Sequence, residues 1–275
     1  MTRHHFTVDV EEYFQVSALE PHAPYERWDR LESRVEACVD RLLLLLSEAG
    51  ATGTFFTLGW IAERHVGMMR RIAEAGHEIA SHGWRHRKVT TLTPDEFRES
   101  IRRSKAVLED VTGQEVTGYR APSFTIVPSV DWAFDILIEE GYAYDSSVYP
   151  GRSGHPLEPR RPYDVQRAAG LLREYPIATL RMGRTLPAGG GAYLRLLPYA
   201  LVRGGLMQAQ REGQPAMFYI HPWELDPGQP RLPTNLRTRI RHYGGLARTD
   251  ALLARMLREF RFEPVRAPVA RAVPA

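Results

Sequence analysis

Two histidines four residues apart, His82 and His86, stand in the stretch GHEIASHGWRHRKV. On a helical turn that spacing puts both imidazoles on one side, where they can close on one divalent ion. A carboxylate would complete a two-histidine, one-carboxylate set that keeps a coordination position for water, as catalytic zinc sites do. Alone, H-x-x-x-H is a weak signal, and either histidine reads equally as a polar surface group. The stretch FTVDVEEYF, residues 6–14, strengthens it. Asp9 lies inside an apolar strand, where an unpaired carboxylate is costly. Strand alternation places Asp9 and Glu11 on one face and Glu12 on the other, unless the strand has already ended. Asp9 is then a general base or a ligand, against the plainer reading of a carboxylate bonded to backbone or to an arginine.

Three further ionisable residues follow apolar runs: Arg120, Asp145 and His221. Arg120 and Asp145 are an expected couple, either a structural salt bridge or a pair in which Arg120 orients a catalytic carboxylate and Asp145 tunes an imidazole. His221 suits a general acid, because its charge is easily moved near neutrality. His77 begins its strand, at the end opposite a catalytic face, and reads as structural. Trp84 and Trp223 are candidate pocket walls, with core packing as the alternative.

The elements that would position these residues alternate. Strands are predicted at 6–10, 52–59, 77–82, around 116–120, 142–148, 171–175 and 215–221, with a last one near 262–266. Helices are predicted over 32–48, 60–75, 93–113, 128–141, from about 193, and over 248–260. Thr93, Pro94 and Glu96 form a capping box with proline at the first helical position. Seven or eight strand–helix units in 275 residues predict one barrel-like β/α domain. A doubly wound sheet competes, but no glycine-rich dinucleotide fingerprint follows the first strand. In barrel enzymes chemistry sits at the C-terminal strand ends, which is where Asp9, Glu11, His82, Arg120, Asp145 and His221 fall. Residues 268–275 read as a flexible tail. Residues 225–245 read as a long, polar, basic loop.

Composition is that of an ordinary globular protein, with a formal net charge of +3. Its arginines are dispersed rather than gathered in a stripe, which argues against nucleic acid as a partner. The single cysteine, Cys38, permits no intramolecular disulfide, which suits a reducing compartment. No apolar run is long enough to span a bilayer. A cytoplasmic protein is expected, with peripheral membrane association or self-association left open.

In order along the chain, Asp9 with Glu11, Ser81-His82-x-x-x-His86, Arg120-x-Pro122, Asp145 and His221 resemble the five motifs of polysaccharide deacetylases. These are the family four carbohydrate esterases, also called the nodulation deacetylase homology domain. The resemblance runs from Phe6 to about Val265. TVDVEEYFQV, SHGWRHR, GYRAPSFTI, DSSVYP, LPAGGGAYLRLLPY and FYIHPWELDP resemble the branch found beside exosortase and exopolysaccharide gene clusters. The resemblance implies an α/β fold, a deformed and incomplete (β/α)7–8 barrel over residues 1–267. It also implies a divalent metal, typically Zn2+, and hydrolysis of N-acetyl or sometimes O-acetyl groups from an oligo- or polysaccharide that is in some cases lipid-linked.

Carried onto this chain, Asp9 is the base, and Glu11, His82 and His86 bind the metal. Arg120 holds Asp9, Asp145 holds His221 or Arg120, and His221 protonates the leaving amine. Trp84, Tyr119, Pro122, Trp223 and Arg195 form the substrate-contacting set. Backbone N–H groups near 57–59 or 119–122 are the expected oxyanion donors. The chain departs from the family where the usual first motif has two adjacent aspartates, since VDVEE stands here instead. Glu11 is taken as the ligand because it shares a face with Asp9, and Glu12 is its rival. Allantoinase-like amidohydrolases show SHGW and work without metal, but His86 is retained here, which favours the metal. The alternatives are an amidohydrolase acting on a small amide or cyclic imide, and an inactive carbohydrate-binding relative.

Overall fold

The computed structural model describes residues 2–152 and 154–266; the expected tail at 268–275 lies outside them. The strand β1 (His4–Val10) is buried along its whole length, as a β-branched and aromatic run must be when both sheet faces are covered. It pairs in parallel with β2 (Thr54–Thr57) on one side and β10 (Met217–Ile220) on the other. From β2 the parallel order continues through β3 (Glu78–Ser81), β4 (Gly118–Tyr119), β5 (Tyr144–Asp145) and β7 (Gly170–Glu174). An antiparallel edge strand, β6 (Tyr163–Arg167), completes this path. The short β11 (Phe262–Glu263) also pairs with β1.

The sheet curls towards closure without completing it. Past β7 the chain leaves β5, with Ile177 N–H still donating to Val148 O, and crosses to β10, where Ala178 N–H donates to Met217 O. A single parallel bridge, Ile177 to Met217, spans the seam. The expected deformed, incomplete barrel is what forms.

Helices α1 (Val35–Glu48), α2 (Gly59–Arg64), α3 (Val66–Glu74), α4 (Pro94–Thr112) and α5 (Trp132–Glu139) cover the first strands. The capping box of α4 forms as predicted, and Gly113 ends the helix at φ 67. The predicted helix 60–75 is two helices, divided at His65. The later chain departs further from expectation. A separate hairpin, β8 (Thr179–Met182) with β9 (Arg184–Pro187), was not anticipated. The helix expected from about 193 is α6 (Gly191–Leu196) and α7 (Tyr199–Arg211), with Pro198 between them. The expected loop 225–245 contains α8 (Leu236–Tyr243), capped by Asn235 accepting from Thr238 N–H. The helix α9 (Thr249–Glu259) closes the fold. No helix among the described residues is long and apolar enough to cross a membrane.

Register aligns the strand ends. Val10 pairs with Thr57, Thr57 with Ser81, Ser81 with Tyr119, and Tyr119 with Asp145. The residues just past these positions therefore share one rim. Close packing at β4 helps hold it: a Cβ on Gly118 would lie 2.1 Å from Cζ of the buried Tyr144. Gly118→Ala should displace that ring and lower stability by about 1–3 kcal/mol, read as a lower urea midpoint at unchanged m-value. An unchanged midpoint would mean that Tyr144 moves aside freely.

Candidate metal and catalytic centre

Glu11, His82 and His86 each offer one ligand atom, and these atoms lie within 4.8 Å of one another. Glu11 follows β1 and His82 follows β3, so adjacent parallel strands deliver them. His86 arrives differently from expectation. Residues 82–88 are not helical; Gly83 at φ 77 and His86 at φ 48 turn the loop back so that the two imidazoles face each other, centroids 5.4 Å apart. His82 Nδ1 lies 2.8 Å from Arg120 O. A carbonyl can only accept, so Nδ1 carries the hydrogen and Nε2 keeps its lone pair, the tautomer that a metal ligand needs. Burial pushes the His82 pKa down to about 4, so the ring is neutral at pH 7.

Glu11 is buried, with Oε2 3.0 Å from His86 Nε2 and Oε1 3.2 Å from His221 Nε2. Yet Oε2 has no aligned hydrogen-bond donor. Burial alone would raise its pKa, but His86, His221 and His82 outweigh that and hold it near 2. A buried, ionised oxygen without a donor, facing two imidazoles, fits a divalent cation. Two histidines and a carboxylate are also a donor set that Zn2+ accepts. Glu12 has another task. Its carboxylate accepts from Ser33 Oγ, Arg34 N–H and Val35 N–H, capping the start of α1.

Asp9 and His221 flank this cluster, each backed by one charged partner. Arg120 Nη1 donates to Asp9 Oδ1 at 2.6 Å and to Thr7 Oγ1 at 2.8 Å. The expected Arg120–Asp9 pairing forms. Asp145 is not part of it and does not reach His221. Instead it accepts from Ser147 Oγ and Ser147 N–H and lies beside Glu174. Burial raises both of these carboxyls, Glu174 well above its usual range, where the neighbouring Asp145 adds to the effect. The role expected of Asp145 falls to Glu224, whose Oε1 lies 2.8 Å from His221 Nδ1. Burial alone would lower the His221 pKa; Glu11 and Glu224 prevail and raise it.

Glu224 was not singled out in the sequence. Its signal is the run HPWE, in which a glutamate three residues after His221 closes a capping box on that histidine. Arg195, expected to touch substrate, is buried and donates Nε to Glu224 Oε2 at 2.9 Å and Nη2 to Arg241 O at 2.7 Å. It positions Glu224. The glycine triplet serves the same assembly, since a Cβ on Gly191 would lie 2.4 Å from Glu224 Oε1.

A cavity of about 490 Å³ opens over these groups, lined by Asp9, Glu11, His82, His86, His221, Trp223 and Glu224 among others. Trp223 lies between the rings of His221 and His242, at 4.9 and 4.1 Å. Trp84, Tyr119 and Pro122 are not among the lining residues. Trp84 packs on Gly59 under Arg103, and Tyr119 packs against Phe97 and Tyr142. The expected oxyanion donors are already committed: Gly59 N–H donates to Gly83 O, Arg120 N–H to Ser81 O, and Ala121 N–H to Ser147 Oγ. Three of the four non-glycine residues with positive φ among the described residues, His86, Ser123 and Phe124, line this cavity. Such backbone persists only where its surroundings over-determine it, and it gathers at functional sites.

Glu11→Gln should abolish stoichiometric zinc uptake, whereas Glu12→Gln should retain zinc and lose about 0.5–2 kcal/mol of stability through the α1 cap. Equal zinc loss in both, measured by elemental analysis, would overturn the assignment. Glu224→Gln strands the buried Arg195 charge and should cost about 3–5 kcal/mol in urea unfolding at neutral pH. The Glu224 pKa is depressed to about 2, because Arg195 and His221 outweigh the opposing effect of burial. Its stabilisation is therefore present above the usual carboxylate pKa of 4.5 and fades as pH falls towards about 2. The gap between parent and variant should narrow over that window.

Residues 28–132 match the family described as "Polysaccharide deacetylase", and residues 146–270 match "Domain of unknown function (DUF3473)". A peptidoglycan deacetylase of Helicobacter pylori is 29% identical over 113 residues, 41% of this chain and 38% of that protein. A peptidoglycan deacetylase-like protein of Gibberella zeae is 31% identical over 119 residues, 42% of this chain and 33% of that one. The aligned parts thus span about a third of each curated relative. A crystal structure from Mycobacterium smegmatis, described provisionally as a polysaccharide deacetylase, superposes with a TM-score of 0.62 at 23% identity, covering 93% of this chain and 84% of that one. Residues 28–132 thus carry a polysaccharide deacetylase region and residues 146–270 a DUF3473 region, on a fold shared with the Mycobacterium smegmatis structure.

Proposed function

We propose that the chain is a hydrolase that removes acetyl groups, chiefly N-acetyl, from sugar residues of a polysaccharide. The observation that carries this is the buried, donor-less Oε2 of Glu11 among His82 and His86, flanked by an Arg120-held Asp9 and a Glu224-held His221. Glu11, His82 and His86 would hold a divalent ion, Zn2+ by the nature of the donors. Such an ion, when bound, polarises the acyl carbonyl and lowers the pKa of a water.

The remaining work belongs to the protein's own side chains. Asp9, with Oδ1 occupied by Arg120 and its carboxylate at the cavity wall, takes the proton of the attacking water. Arg120 keeps that carboxylate in place and offsets its charge. His221, with Nδ1 on Glu224, carries a proton at Nε2 and delivers it to the leaving nitrogen as the C–N bond breaks. The products are acetate and a free amino sugar. Trp223, expected to stack on a sugar, gives its faces to His221 and His242 instead and holds the His221 ring in place.

In this reading residues 1–267 form one catalytic barrel. The relatives' names point to peptidoglycan, whereas the motif resemblance points to exopolysaccharide made at the cytoplasmic side; the two polymers are arms of the same assay. Acetate release should be metal-dependent and should occur on N-acetylated oligosaccharide. His82→Ala should lose both bound metal and activity. His221→Ala should lower kcat by about 10²–10⁴-fold and keep the metal. Retained turnover in both variants would sink the proposal.

A further inference from the structure

Away from its acidic floor, the cavity wall is cationic. Lys88, Arg152, Arg237 and Arg241 line it, supplied by the segment after His86, the loop after β5, and α8. Elsewhere several arginines pair off, Arg71 with Glu36 and Asp40, Arg98 and Arg102 with Glu140, Arg203 and Arg255 with Glu259. Among the described residues, the four cavity cations have no carboxylate within ion-pair distance. Charges left unpaired around a concave surface raise the local concentration of an oppositely charged ligand.

A second, independent observation lies beneath them. Tyr149 is 2% exposed, lines the cavity, and its hydroxyl has no partner. The guanidinium of Arg152 sits 5.2 Å from the Tyr149 ring and 5.4 Å from that of Tyr193, and its Nη1 is buried and also unpartnered. Burial pushes the Tyr149 phenol well above its usual pKa, so it remains an O–H donor. Arg152, from the loop after β5, and Arg241, from α8, line the same cavity as Tyr149 and Tyr219. A guanidinium offers donors and no acceptor. Leaving a buried donor unmet costs about 1–3 kcal/mol, a deficit that a ligand bearing several acceptor oxygens removes.

The spot is close to the chemistry. Tyr149 meets Tyr219 at 6.3 Å between centroids, and Tyr219 meets His221 at 5.6 Å. We propose that Tyr149, Arg152 and Arg241 form a subsite for an anionic group, a carboxylate or a phosphate, borne by the N-acetylated sugar or by the unit beside it. This rests on reading the cavity as a deacetylase site and narrows its substrate to an anionic saccharide. Arg pairs carboxylate and phosphate alike through its planar fork, so the source must be separated by experiment.

Binding is measured by titration calorimetry, without turnover, against three probes. They are neutral N-acetylchitotetraose, a tetrasaccharide of alternating glucuronate and N-acetylglucosamine, and N-acetylglucosamine linked to a nucleoside diphosphate. One of the two anionic probes should bind at least about tenfold more tightly than the neutral one, with a Kd that rises with salt. The tighter of the two identifies carboxylate or diphosphate as the group held. Arg152→Gln combined with Arg241→Gln should erase that preference. Equal affinity for all three probes, or a preference that survives in the double variant, would overturn the subsite. Acetate release from N-acetylchitotetraose by the parent protein is followed in parallel. Its absence counts against the deacetylase reading alone, because the binding comparison does not depend on turnover.

Discussion

A fully buried guanidinium, that of Arg120, sets the terms for the rest of this site. A charge taken out of water costs several kcal/mol unless its geometry and hydrogen bonds are complete. Arg120 meets this from several sides. Nη1 donates to Asp9 and Thr7, Nε to Ser146 O, and Nη2 to Ser146 Oγ, while the guanidinium lies 4.1 Å from the Phe56 ring centroid. Two of its acceptors pass the linkage on, since Thr7 Oγ1 donates to Phe218 O and Ser146 Oγ to Tyr175 O. One side chain thereby ties β1, β10, the end of β5 and the segment after β7. That segment also bridges the open seam of the barrel. The incomplete barrel keeps its shape at the catalytic end because a charge there demands partners from every side.

Parallel strands explain why so much of the centre was legible in the sequence. Each strand end delivers a residue to the same rim, so Asp9, Glu11, His82, Arg120 and His221 could be read from the residues that follow apolar runs. Alternation also separated Glu11 from Glu12, and the structure gives each a distinct set of neighbours. The reading was weaker where backbone leaves regular structure. His82 and His86 come together by two left-handed residues rather than by a helical turn. Spacing alone could not distinguish these routes, because both bring the rings to one side.

Long-range partners were the less legible part. Asp145 looked like the natural companion of Arg120, being ionisable and at a strand end. It instead accepts from Ser147 and lies beside the buried Glu174, a neighbour that a burial pattern in sequence does not reveal. Glu224 and Arg195 lie 29 residues apart and meet only because the glycine triplet admits Glu224 against the α6 start. The helix α8 was hidden by its shortness and polarity: its eight residues carry an apolar stripe of only Leu236, Ile240 and Tyr243 among three arginines, too brief to stand out as the face from which a surface helix is read. Arg237 and Arg241 consequently looked like residues of a basic loop, and the sequence left open whether that loop covered the groove.

Charge bookkeeping across the floor of the cavity shows why the three carboxylates there are not equivalent. Asp9 has Arg120, and Glu224 has Arg195; each is a one-to-one pair with a permanent cation. Glu11 has neither lysine nor arginine, only imidazoles, and one of these, His82, is held neutral by burial and committed through Nδ1 to a carbonyl. The positive charge opposite Glu11 must therefore come from the His221 imidazolium, whose pKa Glu11 and Glu224 raise against burial, or from an ion that the cluster holds. On the side of Oε2, which has no aligned donor, the His82 ring is neutral, and a cation fits there. The two permanent pairs thus leave one carboxylate selectively short of positive charge, at the position where two histidines can supply the remaining ligands.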